Sequence, residues 1–144
     1  PLVGWEAGLQ PIFDVARKLE RGVILLVYMS HKAADEGYGQ TVIDPETAQG
    51  TPQYVVFARK AVRLAADGAI VGATYPEKIR EIHGILGANI PIYSPGVGVQ
   101  GGEAKSALES GARYILVGRT ITLSEKPAES ARQIRDLIRN IMRR

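Results

Sequence analysis

The sequence predicts an α/β protein built on a parallel sheet. Three observations carry that prediction. Helical and strand periodicities alternate along the whole chain, with short turns between most of them, which is the pattern of right-handed βαβ units. The strand segments are apolar on both faces, as in a parallel sheet covered by helices. Each strand runs at its carboxyl end into polar or glycine-rich residues, where such folds place ligands. The four strands and five helices fit a small open sheet, and equally the second half of an eight-stranded barrel. Periodicity does not choose between the two. Residues 1–144 read as a single domain.

Leu9 to Glu20 is the first helix, with Ile12, Val15, Ala16 and Leu19 at i, i+3, i+4, i+7 as its expected buried stripe. Pro11 falls in its expected first turn, and Arg21-Gly22 closes it. Val23 to Tyr28 is a strand ending in Met29-Ser30-His31. Residues 30 to 51, with Gly37, Gly39, Pro45 and Gly50, read as a long polar connection of the functional or mobile kind. Gln53 to Ala66 is the clearest helix, burying Tyr54, Phe57, Ala58, Ala61, Leu64 and Ala65. Ala69 to Ala73 is the next strand. Thr74 and Glu77 have the spacing of a capping box around Pro76, and Ile79, Ile82, Ile85 and Leu86 form that helix's inner side before Gly87 ends it. A third strand starts at Ile90 and leads into the loop Pro95 to Gly102. A helix over Glu103 to Ser110 follows, then a strand from Tyr114 to Val117 ending in Gly118-Arg119. The last helix starts at Pro127 with Ala131, Ile134, Leu137, Ile138 and Ile141 as its core face.

Composition bounds what the chain does. It is 45% hydrophobic and 23% charged, an ordinary globular balance without low complexity. The longest apolar runs are strand-sized, so no membrane span is expected. Pro1-Leu2-Val3-Gly4-Trp5 lacks the basic and apolar regions of a signal peptide. The absence of cysteine excludes disulfides, thiolate metal sites and a cysteine nucleophile, and is compatible with a cytoplasmic protein. The net charge is +3. Much of the basic excess lies in the last helix, at Arg132, Arg135, Arg139, Arg143 and Arg144. A solvated face, with cations favoured near a helix C-terminus, accounts for it better than nucleic-acid binding.

The chemistry is concentrated between Ile90 and Thr120. A glycine-rich loop, a helix, a strand and Gly118-Arg119 in succession bring two loops to one rim of the sheet. Backbone N–H groups, a helix N-terminus and one guanidinium there form a cradle for a phosphate dianion. Glycine lets the phosphate approach the backbone. Gly96-x-Gly98-x-x-Gly101 has the letters of a dinucleotide fingerprint, but the next strand ends in Gly118-Arg119 and offers no acid for a ribose. Gln100 is placed to bridge the phosphate and the rest of a ligand, or to be an exposed loop amide. Ser30 offers a hydroxyl to an amide-like ligand edge, or caps a turn. His31 and His83 have no metal-ligand spacing, and His83 reads as a packing residue.

Tyr28-Met29-Ser30-His31, Ser94-Pro95-Gly96-Val97-Gly98-Val99-Gln100-Gly101-Gly102 and Val117-Gly118-Arg119 resemble the archaeal type of orotidine 5′-phosphate decarboxylase. The resemblance covers nearly the whole chain but only the family's second, C-terminal half. It implies a (β/α)8 TIM barrel that converts orotidine monophosphate (OMP) to UMP and CO2 in pyrimidine biosynthesis, with no metal or organic cofactor. By the same resemblance, Ser30 hydrogen-bonds the pyrimidine. Pro95, Gly96, Val97, Gly98, Gln100, Gly101 and Gly102 belong to a mobile loop that closes over the nucleotide, with Gln100 on the phosphate. Gly118 and Arg119 grip the phosphate.

The family's reacting groups form a Lys…Asp-x-Lys-x-x-Asp array in its first half. No Asp-x-Lys-x-x-Asp run occurs in these residues, so no catalytic residue is assigned within them. The expectation is a chain inactive by itself that requires a partner, either the N-terminal half of the barrel or a second copy. The family also forms homodimers through the barrel rim. Two other readings are a non-catalytic nucleotide-binding module, and another sugar-phosphate barrel enzyme such as a hexulose-phosphate synthase or keto-gulonate-phosphate decarboxylase.

Overall fold

A computed structural model describes residues 6–98 and 102–143. In chain order the elements are α1 (Glu6–Lys18), β1 (Ile24–Tyr28), α2 (Ala34–Tyr38), β2 (Thr41–Ile43), β3 (Gly50–Pro52), α3 (Gln53–Arg63) and β4 (Gly68–Val71). Then come α4 (Pro76–Leu86), β5 (Ile92–Pro95), α5 (Gly102–Glu109), β6 (Ala112–Leu116), α6 (Arg119–Thr122) and α7 (Pro127–Met142). The main sheet has the order β1-β4-β5-β6, and all its pairings are parallel. Each new strand is laid beside the last, so the sheet grows in one direction and its carboxyl ends share one rim.

The two faces of the sheet differ. Leu25, Val27, Ala69, Val71, Ile92 and Ala112 are buried, as are Tyr54, Phe57, Ala58 and Ala61 of α3, Ile79 and Ile82 of α4, and Ala104 and Ala107 of α5. That is the core, with an apolar stripe from each crossover helix laid on the sheet. The other face follows from the register: Ile24 lies beside Gly68, Leu26 beside Ile70, Ile70 beside Tyr93, Tyr93 beside Tyr114 and Pro95 beside Leu116. Nothing among the described residues covers it. Ile24 is 44%, Tyr114 46% and Leu116 41% exposed. A Cβ on Gly68 would come within 2.5 Å of the Tyr93 ring, so only glycine leaves room for that ring to stack on Tyr114 at 4.7 Å.

Five expectations from sequence are corrected. The α1 stripe faces outward: Ile12 is 55%, Val15 55% and Leu19 62% exposed, whereas Phe13 is buried. Phe13 joins the core, and Arg17 donates from Nη2 to the Leu64 carbonyl at the end of α3 at 3.3 Å. The helix also starts earlier than expected, so Pro11 lies inside it. The expected core face of α7 is half-buried rather than buried: Ala131, Ile134, Ile138 and Ile141 are partly covered and Leu137 is exposed, and among the larger contacts this helix touches only α5 and the short α6. Thr74 does not cap α4; the cap position is Tyr75, without a side-chain bond, and the Thr74 hydroxyl is turned elsewhere. Ala65 is exposed rather than buried, because it leaves α3 with φ +51.

The long connection is a built structure. It holds α2 and the antiparallel β2–β3 hairpin. Buried Asp44 pins the hairpin to α3 by pairing with Arg59 and accepting the Glu46 N–H at 2.9 Å, and Arg63 pairs with Glu46. The Tyr28 hydroxyl donates to Asp35 of α2 at 2.5 Å. The Tyr28 ring meets Tyr38, Tyr54 and Tyr75 at centroid distances of 5.8, 5.5 and 5.2 Å. Burial, reinforced by the bond to Asp35, pushes the Tyr28 phenol far above its ordinary pKa. Tyr54 donates to Glu81 at 2.7 Å and accepts from Lys78 at 3.0 Å, and burial raises its pKa as well.

Candidate functional site

The rim where β1, β4, β5 and β6 end carries the candidate site. Ser30 follows β1, and three neighbours fix it. Thr74, just beyond β4, donates from its hydroxyl to the Ser30 carbonyl at 3.0 Å. Gly72 lies so close beneath that a Cβ there would come within 2.5 Å of the Ser30 Cα and 2.8 Å of the Met29 carbonyl oxygen. Gly96, at φ +97, holds a conformation that L side chains rarely adopt. A Cβ on it would lie 2.9 Å from the Ser30 Cβ and 3.5 Å from the Thr74 hydroxyl. Ser30, Thr74 and Gly96 therefore converge from three strands.

The base of the glycine loop is tied down. Buried Ser94 donates to the Val71 carbonyl at 2.7 Å, and the Ala73 N–H reaches the Pro95 carbonyl at 2.8 Å. These bonds hold β4 to β5 where their ladder ends. Val97 turns inward and is buried, while Gly96 stays exposed.

Across the rim, Gly118 is the cap residue of α6 and Arg119 its first residue. The sequence reading ran from Arg119 to Pro127 without an element. The single turn of α6 fills that gap, and the Ser130 hydroxyl donates to the Thr120 carbonyl at 3.1 Å to lock it to α7. Arg119 is exposed, and its guanidinium makes no hydrogen bond or ion pair among the described residues. One open cavity of about 910 Å³ has Ser30, Pro95, Gly96, Val97, Gly98, Gly118 and Arg119 in its wall. Gly102 opens α5. Gln100 and Gly101 lie outside the described residues.

Thr74 is the residue whose role sequence reasoning assigned differently. Its capping-box spacing masked a bond across strands that no local pattern announces. His83 packs its ring over Gly111, where a Cβ would come within 2.6 Å of it. Among the described residues no group of three or more His, Cys, Asp or Glu side chains is placed to hold a metal ion. No helix among them is long and apolar enough to cross a membrane.

Residues 1–134 match the family model described as Orotidine 5'-phosphate decarboxylase / HUMPS family. The chain belongs to that family. It is 40% identical over 121 residues to the orotidine 5'-phosphate decarboxylase of Pyrococcus abyssi, covering 81% of this chain and 50% of that protein. It is 35% identical over 128 residues to that of Methanococcoides burtonii, covering 89% and 54%. The crystal structure of the Methanocaldococcus jannaschii orotidine 5'-monophosphate decarboxylase, complexed with inhibitor BMP, superposes with a TM-score of 0.72 at 30% identity over 90% of this chain and 55% of that one. The chain thus spans about half the length of these family members. Its parallel four-stranded sheet with flanking helices is a half-barrel of the (β/α)8 fold.

Proposed function

We propose that this chain is the phosphate- and pyrimidine-binding half of an orotidine 5'-monophosphate decarboxylase, which as a complete barrel converts OMP to UMP and CO2. The observation that carries the reading is the single cavity walled by Ser30, the loop from Pro95 to Gly98, and Gly118 with Arg119. A dianion in that cavity meets backbone N–H groups from a glycine-rich turn and a guanidinium with no other partner among the described residues. Ser30, fixed by Thr74, Gly72 and Gly96, offers its hydroxyl to the pyrimidine edge. In this reading Gln100 contacts the phosphate and reaches towards the ring, with Gly101 beside it and Gly102 opening α5. Closure of Pro95 to Gly102 over the phosphate spends remote binding energy on excluding water and positioning the ring.

The groups that stabilise the departing carboxylate and protonate the ring are a lysine and aspartates from the complementary half, since these residues hold no Asp-x-Lys-x-x-Asp run. That half is the partner of this one in the working enzyme, which acts in the cytoplasm as a homodimer of barrels. The same cavity and Gly118-Arg119 suit other sugar-phosphate substrates of the family, and that is the second reading.

The test is complementation. This chain, mixed with a barrel half that carries the lysine–aspartate array, is expected to form UMP from OMP, and neither piece alone is. Decarboxylation by this chain alone would sink the division of labour. In calorimetry UMP should bind more tightly than uridine, and Arg119→Ala should weaken UMP by about 10- to 100-fold, the ~1.5–3 kcal/mol of a hydrogen bond to a charged group. Equal binding of UMP and uridine would remove the phosphate grip.

A further inference from the structure

The turn that carries Ser30 is held by two adjacent hydroxyls. Thr74 donates to the Ser30 carbonyl at 3.0 Å. Tyr75 directs its phenol at the next two carbonyls, that of His31 at 3.0 Å and that of Lys32 at 3.2 Å. Three consecutive peptide units after β1 are therefore tied to two consecutive residues after β4. On the other side of Ser30, the Tyr28 carbonyl accepts the Gly72 N–H at 3.0 Å. Tyr75 is itself well anchored. Its ring stands edge-on to that of Tyr28, with centroids 5.2 Å apart and planes at 81°. Tyr28 is fully buried, and its own hydroxyl is engaged by Asp35 at 2.5 Å. The Tyr75 N–H reaches the Gly72 carbonyl at 3.3 Å, and the Tyr75 carbonyl accepts from the N–H groups of Lys78 and Ile79 at 3.0 and 3.1 Å.

The bonds from the Tyr75 hydroxyl are exposed. Water serves those carbonyls when the phenol is absent, so the bonds add little to stability. What they fix is direction. We propose that Tyr75 is a positioning residue for pyrimidine recognition: its phenol holds the turn after β1 and so aims the Ser30 hydroxyl at the base. This role presupposes the nucleotide and its pyrimidine proposed above. Ser30 is in the wall of the site cavity and Tyr75 is not, so Tyr75 acts through Ser30 rather than on a ligand. A hydrogen bond weakens steeply as it leaves its axis. A Ser30 turn free to rock therefore forfeits part of its bond to the base. Gly118 and Arg119 lie across the rim, and their hold on a phosphate does not pass through this turn. Tyr75 governs the share of affinity that depends on the base and leaves the phosphate share alone.

The test compares UMP with ribose 5-phosphate, which carries the phosphate without the base. The Tyr75→Phe variant keeps the ring and its packing on Tyr28. In calorimetry on the full chain it should weaken UMP by about 3- to 10-fold, the worth of one neutral hydrogen bond. It should leave ribose 5-phosphate binding unchanged. Ser30→Ala should weaken UMP at least as much. The double variant Ser30→Ala/Tyr75→Phe should bind UMP no more weakly than Ser30→Ala, because nothing remains to be aimed. Additive losses in the double variant, an equal loss for both ligands, or unaltered UMP binding by Tyr75→Phe would each overturn the proposal. A chain with its own residues that binds UMP no better than ribose 5-phosphate would instead remove the nucleotide reading, and the positioning role with it.

Discussion

On the helix-covered face of the sheet, Val27, Val71 and Ile92 are fully buried; on the opposite face, Ile24, Tyr114 and Leu116 each keep at least 41% of their surface exposed. Tyr114 apart, with its hydroxyl, these residues are equally aliphatic, and all sit on the same strands or their neighbours. The difference lies in what is laid over them. α3, α4 and α5 are crossovers with a strand on either side, so their stripes have somewhere to go. α1 flanks the sheet's end, and its stripe of Ile12, Val15 and Leu19 does not, while α7 half-buries its stripe against its neighbours α5 and α6. An amphipathic pattern records which side of an element is fit for burial. It does not record that a cover is present.

This contrast sets the size of mutational effects. Ile82→Ala, in a wholly buried helix position, is expected to cost about 2–5 kcal/mol in chemical denaturation, from lost transfer energy plus a residual cavity. Gly72→Ala drives a methyl into the Ser30 backbone and should cost about 1–3 kcal/mol, with weakened UMP binding as a second readout because Ser30 is displaced. Asp44→Ala should cost about 1.5 kcal/mol, since Arg59 is partly exposed and can turn to water once its buried partner is gone. Proteolysis should then cut first in the β2–β3 hairpin. Val15→Ser, on the outward stripe of α1, should change the stability of the isolated chain by no more than about 0.5 kcal/mol. A larger loss there would mean that the stripe is already covered.

A pH titration sharpens the covered side. The Tyr28 phenol is held protonated by burial and its bond to Asp35, so its folded pKa lies above the ordinary 10.0. The folded state binds this proton more tightly than the unfolded state. Its contribution is therefore complete below pH 10 and is lost as pH rises above it. Tyr28→Phe should flatten that alkaline loss of stability.

Much of the site was legible because it is local. The run from Ser94 to Gly102 and the Val117-Gly118-Arg119 triplet declare a loop and a cation at strand ends, and strand ends of a parallel sheet share a rim. Thr74 was misread because its spacing to Glu77 satisfies a local rule, while its actual partner, the Ser30 carbonyl, lies 44 residues away in the chain. The hairpin over 41–52 was missed for a similar reason. Its anchor is the pairing of Asp44 with Arg59, an isolated acid and an isolated base without a periodic signature.

By itself the sequence determined the alternation of helices and strands, the parallel sheet and the placing of glycines and Arg119 at its carboxyl ends. Those features follow from side-chain period, backbone freedom and chain order, all of which are local. Only the tertiary structure decided which apolar stripes are buried, how Ser30 is fixed by residues that follow two other strands, and that among the described residues nothing covers one sheet face. Burial and cross-strand contact depend on what arrives from elsewhere in the chain, and no local pattern encodes that.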